Sequence, residues 1–129
     1  MSRYRFSYLT LRGKHYPLIP IKLYFEDHAV KTYALVDSGS TLSVFRAEIA
    51  DSLGLKLEEG EEVALQSANA PLTVYSHILR ASVESEFFEL RVGFARDLLT
   101  SFNILGREGF FERFRITFNE GKREITIET

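Results

Sequence analysis

The sequence predicts an all-β chain, folded as a small closed or sandwiched barrel, and three observations predict it. Apolar residues recur at every second position along most of the chain. Turn-forming residues fall between those runs. Only two short stretches break the period. Alternation of this kind turns one side of a strand toward a core and the other toward water.

The elements follow in order. Tyr4 to Leu11 reads as one strand, with Tyr4, Phe6 and Tyr8 on one face. Ile19, Ile21, Leu23 and Phe25 alternate with Pro20, Lys22 and Tyr24, and Glu26-Asp27-His28 turns the chain into the next strand. Tyr33 to Val36 is apolar enough to be buried on both faces. Arg46 to Leu53 departs from period two and predicts a short helix, stopped by Gly54 as its C-terminal cap. Glu58-Glu59-Gly60-Glu61-Glu62 reads as a solvated acidic loop. An extended region from Val63 to Leu79 is broken near Asn69-Ala70-Pro71. Leu79, Ala81 and Val83, then Phe88, Leu90, Val92 and Phe94, give two more alternating runs. Arg107 to Arg113 predicts a second short helix. Phe114, Ile116 and Phe118 lead through Asn119-Glu120-Gly121-Lys122, a hairpin signal, to Ile125 and Ile127. The expected total is about seven strands and two short helices.

Size and composition narrow the function. The chain has 129 residues, the length of one domain, expected to run over 1–129. It has no cysteine, which excludes disulfides and thiolate metal sites and fits a cytoplasmic location. His15, His28 and His77 stand in unrelated contexts, so no metal site is expected. A net charge of −2 gives no broad attraction to nucleic acid or to an anionic membrane. The N-terminus lacks the apolar run of a signal peptide, and no stretch has the length of a membrane span. Phe87, Phe88, Phe110, Phe111 and Phe114 are expected in the core or in a dimer interface.

The segment that carries chemistry is Tyr33-Ala34-Leu35-Val36-Asp37-Ser38-Gly39-Ser40-Thr41. An apolar strand runs directly into an acid, followed by small polar residues and a glycine. Such an acid sits where a barrel interior meets a cleft. Gly39 allows a sharp turn, and Ser38, Ser40 and Thr41 bring hydroxyls within reach of the carboxylate. Asp-Ser-Gly alone is also a common turn former.

Ala34 to Thr41 resembles the active-site loop of aspartic proteases, in which two apolar residues precede Asp-Thr/Ser-Gly. Asn103-Ile104-Leu105-Gly106 resembles the family's second signature, two apolar residues and a glycine. In retropepsins, the single-lobed branch, that segment passes through the catalytic loop and leads into a short helix. The resemblance runs loosely from Leu18 to Ile127 and implies a closed barrel of the retropepsin type.

The resemblance also implies a mechanism. The family activates one water with two carboxylates, and this chain carries the motif once, so it implies a homodimer in which Asp37 of each copy meets at the two-fold axis. Two like charges about 3 Å apart repel by roughly 5 kcal/mol at an effective dielectric near 20, so such a pair shares one proton. The substrate implied is a peptide or unfolded protein, with no cofactor. Ser38 is expected to brace the two loops across the dimer, Gly39 to bring its N–H to the carboxylate, and Ser40 to donate a further hydrogen bond to Asp37. A β-hairpin flap is expected over Val63 to Leu79, with Ala68, Asn69 and Ala70 at its tip against the substrate. Tyr75 is a candidate to lean over the cleft. A dimeric barrel that binds peptides without cutting them is the alternative reading. A phosphate-binding loop of the actin and sugar-kinase type needs two large α/β lobes, for which the chain is too short and too rich in strands.

Overall fold

The structure is a computed structural model that describes residues 1–66, 71–97 and 101–129. Twelve strands are present among the described residues: β1 (Arg3–Ser7), β2 (Leu9–Leu11), β3 (Lys14–Tyr16), β4 (Leu18–Phe25), β5 (His28–Val36), β6 (Ser43–Arg46), β7 (Glu61–Gln66), β8 (Pro71–Val83), β9 (Glu86–Ala95), β10 (Asn103–Leu105), β11 (Arg115–Asn119) and β12 (Glu124–Glu128). One α-helix, α1, spans Ala47–Ser52. Gly54 follows it with φ +71° and donates its N–H to Asp51 O, the left-handed stop that the sequence predicts.

Six strands close a barrel in the order β4-β5-β10-β6-β9-β8. Closure comes from β8 pairing back onto β4 through Lys22↔Ser82, Leu23↔Ala81 and Tyr24↔Arg80. Ile19, Ile21 and Leu23 of β4 point inward with Leu79, Ala81 and Val83 of β8 and Leu90, Val92 and Phe94 of β9, all in one buried cluster. The same cluster takes in Tyr8, Ile125 and Ile127, so the barrel and the sheet of the chain ends share a core.

That second sheet has the order β1-β12-β11, with Arg3↔Glu128 and Ser7↔Glu124 as its outer β1–β12 pairs. The two ends of the chain therefore pair within one copy. The segment read as one strand from Tyr4 to Leu11 is divided at Tyr8, whose N–H bonds Arg123 O at 2.8 Å, one step beyond the Ser7↔Glu124 pair, before β2 turns to pair with β3.

Other expectations are corrected or narrowed. Arg107–Phe111 is a wide turn and not a regular helix, because Glu108 is extended and Gly109 lies at φ +82°. Phe110 and Phe114 nonetheless reach the core there, their rings 6.1 and 5.2 Å from Phe88. Tyr33 is not buried but 51% exposed, since it faces outward opposite Pro20. The glutamates of the acidic run are exposed as expected, but the run is not all loop: Leu57–Glu59 form a 3-10 turn, Glu61 opens β7, and Glu58 bonds Arg96 at 2.7 Å and Glu61 bonds Arg91 at 3.3 Å. The Arg96 hydrogen bond holds the Glu58 carboxyl below its ordinary range. Phe87 is not in the core: it is 48% exposed, with the Arg80 guanidinium over its ring. Among the described residues no helix is long and apolar enough to cross a membrane.

Candidate active site

The site begins with a threading of the chain. β5 and β6 are consecutive in sequence, yet β10 lies between them. It runs parallel to β5 through Asn103↔Ala34, Ile104↔Leu35 and Leu105↔Val36, and antiparallel to β6 through Ile104↔Val44. The loop that joins β5 to β6, residues 37–42, therefore has to arch over the chain leaving β10. Asp37 extends the ladder by one step, its N–H donating to Leu105 O at 3.0 Å. The departing chain is then stitched to the arch. Gly106 N–H donates to Ser43 Oγ at 3.0 Å, Arg107 N–H to Ser40 O at 2.8 Å and Glu108 N–H to Thr41 O at 2.8 Å.

Gly106 is required at the crossing by proximity alone. Its φ of −102° is open to any residue, but a Cβ there would lie 2.6 Å from Leu42 O and 2.8 Å from Ser40 O. Both are backbone atoms of the arch. The second motif of the sequence is thus the underside of the first.

Within the arch, Ser40 N–H donates to Asp37 O at 3.2 Å and closes a four-residue turn. Gly39 N–H donates to Asp37 Oδ1 at 2.9 Å, which fixes the carboxylate by its own backbone. A side chain at Gly39 would press on that oxygen, at 3.2 Å from the Cβ. Asp37 is half-buried, and Ser38 and Gly39 at the crest are exposed. The carboxylate is thus oriented through one oxygen, Oδ1. Ser40 does not donate to Asp37: its hydroxyl turns the other way and bonds Leu42 O at 2.7 Å, tightening the exit of the arch.

Three residues without an assigned role in the sequence support this geometry. Ser43 is fully buried and supplies the acceptor for Gly106 N–H. Asn103, 5% exposed, bonds Thr32 Oγ1 and Tyr33 O through its amide nitrogen and accepts Arg46 N–H at 2.9 Å, so one side chain joins β5, β6 and β10. Arg107 donates to Thr41 Oγ1 at 3.0 Å. The available signals were a hydroxyl inside the apolar run Leu42 to Phe45 and an amide just ahead of Ile104-Leu105.

The hairpin of β7 and β8 stands off the barrel beside the arch, with arms paired from Glu61↔Ser76 to Gln66↔Pro71. Its pairs Val63↔Val74 and Leu65↔Leu72 set four apolar side chains on one face, and these pack with Leu42, Val44 and Ala95. Gly93 leaves room for this, since a Cβ there would sit 3.0 Å from Val74 Cγ2 and 3.1 Å from Leu42 Cδ2. The hairpin is thereby rooted on the strand that leaves the arch. The expected tip residues Ala68, Asn69 and Ala70 lie outside the described residues. Tyr75 packs, half-buried, against the barrel core.

No group of three or more metal-ligating side chains occurs among the described residues. A groove of about 700 Å³ lies at the Asn103 end of β10, lined by Leu9, Leu18, Tyr33, Ile49 and Phe102, and does not include Asp37.

The comparisons with known proteins agree with this arrangement. A family model described as aspartyl protease matches residues 21–108. Among solved structures, the chain is similar to the crystal structure of a retropepsin-like aspartic protease from Rickettsia conorii, at 19% identity and a TM-score of 0.72, with 98% of each chain covered. No curated protein matches the chain. The structural likeness concerns the fold, while the family match spans more than half of the chain and holds both the arch and the strand beneath it. The chain therefore belongs to the aspartyl protease family, with a retropepsin-like fold.

Proposed function

We propose that the chain is an aspartic endopeptidase that works as a symmetric homodimer, with residues 1–129 acting as one protease domain and Asp37 of each copy forming the catalytic pair. The observation that carries the reading is the Asp37 carboxylate, half-buried and oriented by Gly39 N–H at 2.9 Å, on an arch whose backbone is pinned from below. Asp-Ser-Gly occurs once in the sequence, so a second carboxylate for the same water has to come from a second copy.

In the dimer the two carboxylates hold one proton between them. The charged one takes a proton from water as general base, and the water oxygen attacks the scissile carbonyl. The protonated one polarises that carbonyl as general acid. The resulting tetrahedral centre collapses as the amide nitrogen leaves with a proton. No covalent enzyme intermediate forms.

Ser38 at the exposed crest of the arch is the residue for bracing one loop against its partner, and Ser40 stiffens the arch through Leu42 O. The β7–β8 hairpin is the flap, with Ala68, Asn69 and Ala70 at the substrate. Its root on Leu42 and Val44 supports this, because closure is then coupled to the arch. An extended peptide or unfolded segment is the substrate, held by strand-like pairing. The free edges of β1 and β11 are available for the partner copy. A stable pair of this kind buries more than about 1,000 Å². A cytoplasmic location belongs to the same proposal.

The test is digestion of a denatured protein across roughly pH 3 to 8, beside an Asp37→Asn control. Cleavage that vanishes in the control supports the reading. A dimer that binds the denatured protein but leaves it intact at every pH would make the chain a peptide-binding barrel.

A further inference from the structure

Arg107 is held at the site by both ends. Its backbone N–H is fixed on Ser40 O at 2.8 Å, and its guanidinium donates to Thr41 Oγ1 at 3.0 Å. Among the described residues it is the cation whose side chain hydrogen-bonds the loop that carries Asp37. A guanidinium has five N–H donors, and one bond to a neutral hydroxyl leaves most of that fork open. No ion pair involves Arg107 among the described residues, where Arg3, Arg46, Arg91, Arg96 and Arg113 each meet a glutamate. The adjacent acids are otherwise placed: Glu112 Oε1 accepts Gly109 N–H at 2.8 Å, and Glu108 forms no ion pair among the described residues. Residues 67–70 and 98–100 contain no carboxylate.

The distance from the chemistry follows from chain geometry. The turn from Asp37 to Ser40 spans less than about 7 Å, and Thr41 adds at most ~3.8 Å. An extended peptide advances about 3.3 Å per residue. The Thr41 Cα thus lies within about 11 Å of the Asp37 Cα, a span of about three residues of extended peptide.

We propose that Arg107 is a specificity-determining residue that receives an aspartate or glutamate side chain of the substrate, about two to four residues from the scissile bond. The pinned, planar fork is pre-organised for a bidentate carboxylate, so little side-chain freedom is lost when the substrate arrives. This inference rests on the peptidase reading above.

The experiment digests a mixture of denatured proteins with the full chain near pH 6, where substrate carboxylates are ionised, and maps the cuts by mass spectrometry. Asp or Glu is expected about tenfold more often than Lys or Arg at one position on one side of the cut, the size of a charge-assisted hydrogen bond. Arg107→Gln keeps an N–H for Thr41 but no charge, and the cuts it makes lose the preference. Arg107→Glu inverts the preference toward Lys and Arg, which a purely structural role cannot produce. Should Arg107→Glu not fold, the Gln comparison decides alone. Cutting without an acidic preference, or an unchanged preference in Arg107→Gln, overturns this inference and leaves the peptidase reading standing. Absence of any cut by the unmodified chain overturns both.

Discussion

Gly106→Ala isolates the crossing beneath the arch. The added methyl would sit 2.6 Å from Leu42 O, 2.8 Å from Leu42 C and 2.8 Å from Ser40 O. These atoms belong to backbone that is itself hydrogen-bonded, so no side chain can rotate out of the way. Relief requires the strand and the arch to part, which lengthens the bonds Gly106 N–H to Ser43 Oγ, Arg107 N–H to Ser40 O and Glu108 N–H to Thr41 O. Overpacking of this kind costs about 1–3 kcal/mol, and each weakened bond adds up to about 1 kcal/mol. A total of roughly 2–4 kcal/mol is a large share of a typical domain stability. The effect on turnover should be larger, because Asp37 rides on the same arch and a displacement near 1 Å can cost about a hundredfold. Urea unfolding gives the stability, and peptide hydrolysis gives kcat/KM. Gly121→Ala is the control: its Cβ would meet only Asn119 Oδ1 at 3.7 Å, and its φ is not in the left-handed region. Equal unfolding midpoints for the two variants would refute the reasoning.

Two further outcomes follow from buried polar groups. Asn103→Ala removes the side chain that joins β5, β6 and β10, including the acceptor of Arg46 N–H; it should cost about 2–4 kcal/mol in urea unfolding. Tyr8→Phe should change the alkaline limb of stability. Burial first, then the hydrogen bond to Glu120 at 2.7 Å and its charge, push the Tyr8 hydroxyl up to about 12 from 10.0. The folded state thus keeps a proton that the unfolded chain gives up first. The Tyr8 contribution is whole below pH 10 and is lost as pH rises through about 12. The stability difference between Tyr8 and Phe should be constant to pH 10 and shrink above it, as measured by unfolding at stepped pH; a constant difference up to pH 12 contradicts it.

What was legible in the sequence was what period and local chemistry determine. Alternation in Ile19 to Phe25 and Phe88 to Phe94 gave strands whose inward sets meet in the core, since a strand of fixed period has one possible buried face. Gly54 marked the end of α1 because only its conformation was at issue. The features that escaped depend on partners far along the chain. The strand divides at Tyr8 because β1 pairs with β12, far along the chain, while β2 pairs with β3. Tyr33 seemed buried because its neighbours are apolar, but its side chain faces outward and stays half exposed. Arg107 to Arg113 has a helical composition, yet the crossing at Gly106 and the left-handed Gly109 impose a turn. Ser40 carries a hydroxyl near a carboxylate in sequence, and in space a closer acceptor, Leu42 O, takes it. The two motifs were visible separately. That one lies directly beneath the other is a property of β10 threading between β5 and β6, which no local pattern encodes.

The central claim is that catalysis needs Asp37 from two copies at once. Subunits bearing Asp37→Asn, unfolded and refolded together with unmodified subunits in increasing proportion, test it directly. At an equal mixture, random pairing leaves about one quarter of the dimers with two intact aspartates, so activity should fall to about one quarter and follow the square of the intact fraction. Activity that falls in simple proportion, to about one half at the equal mixture, would show that each copy works alone and would contradict the account.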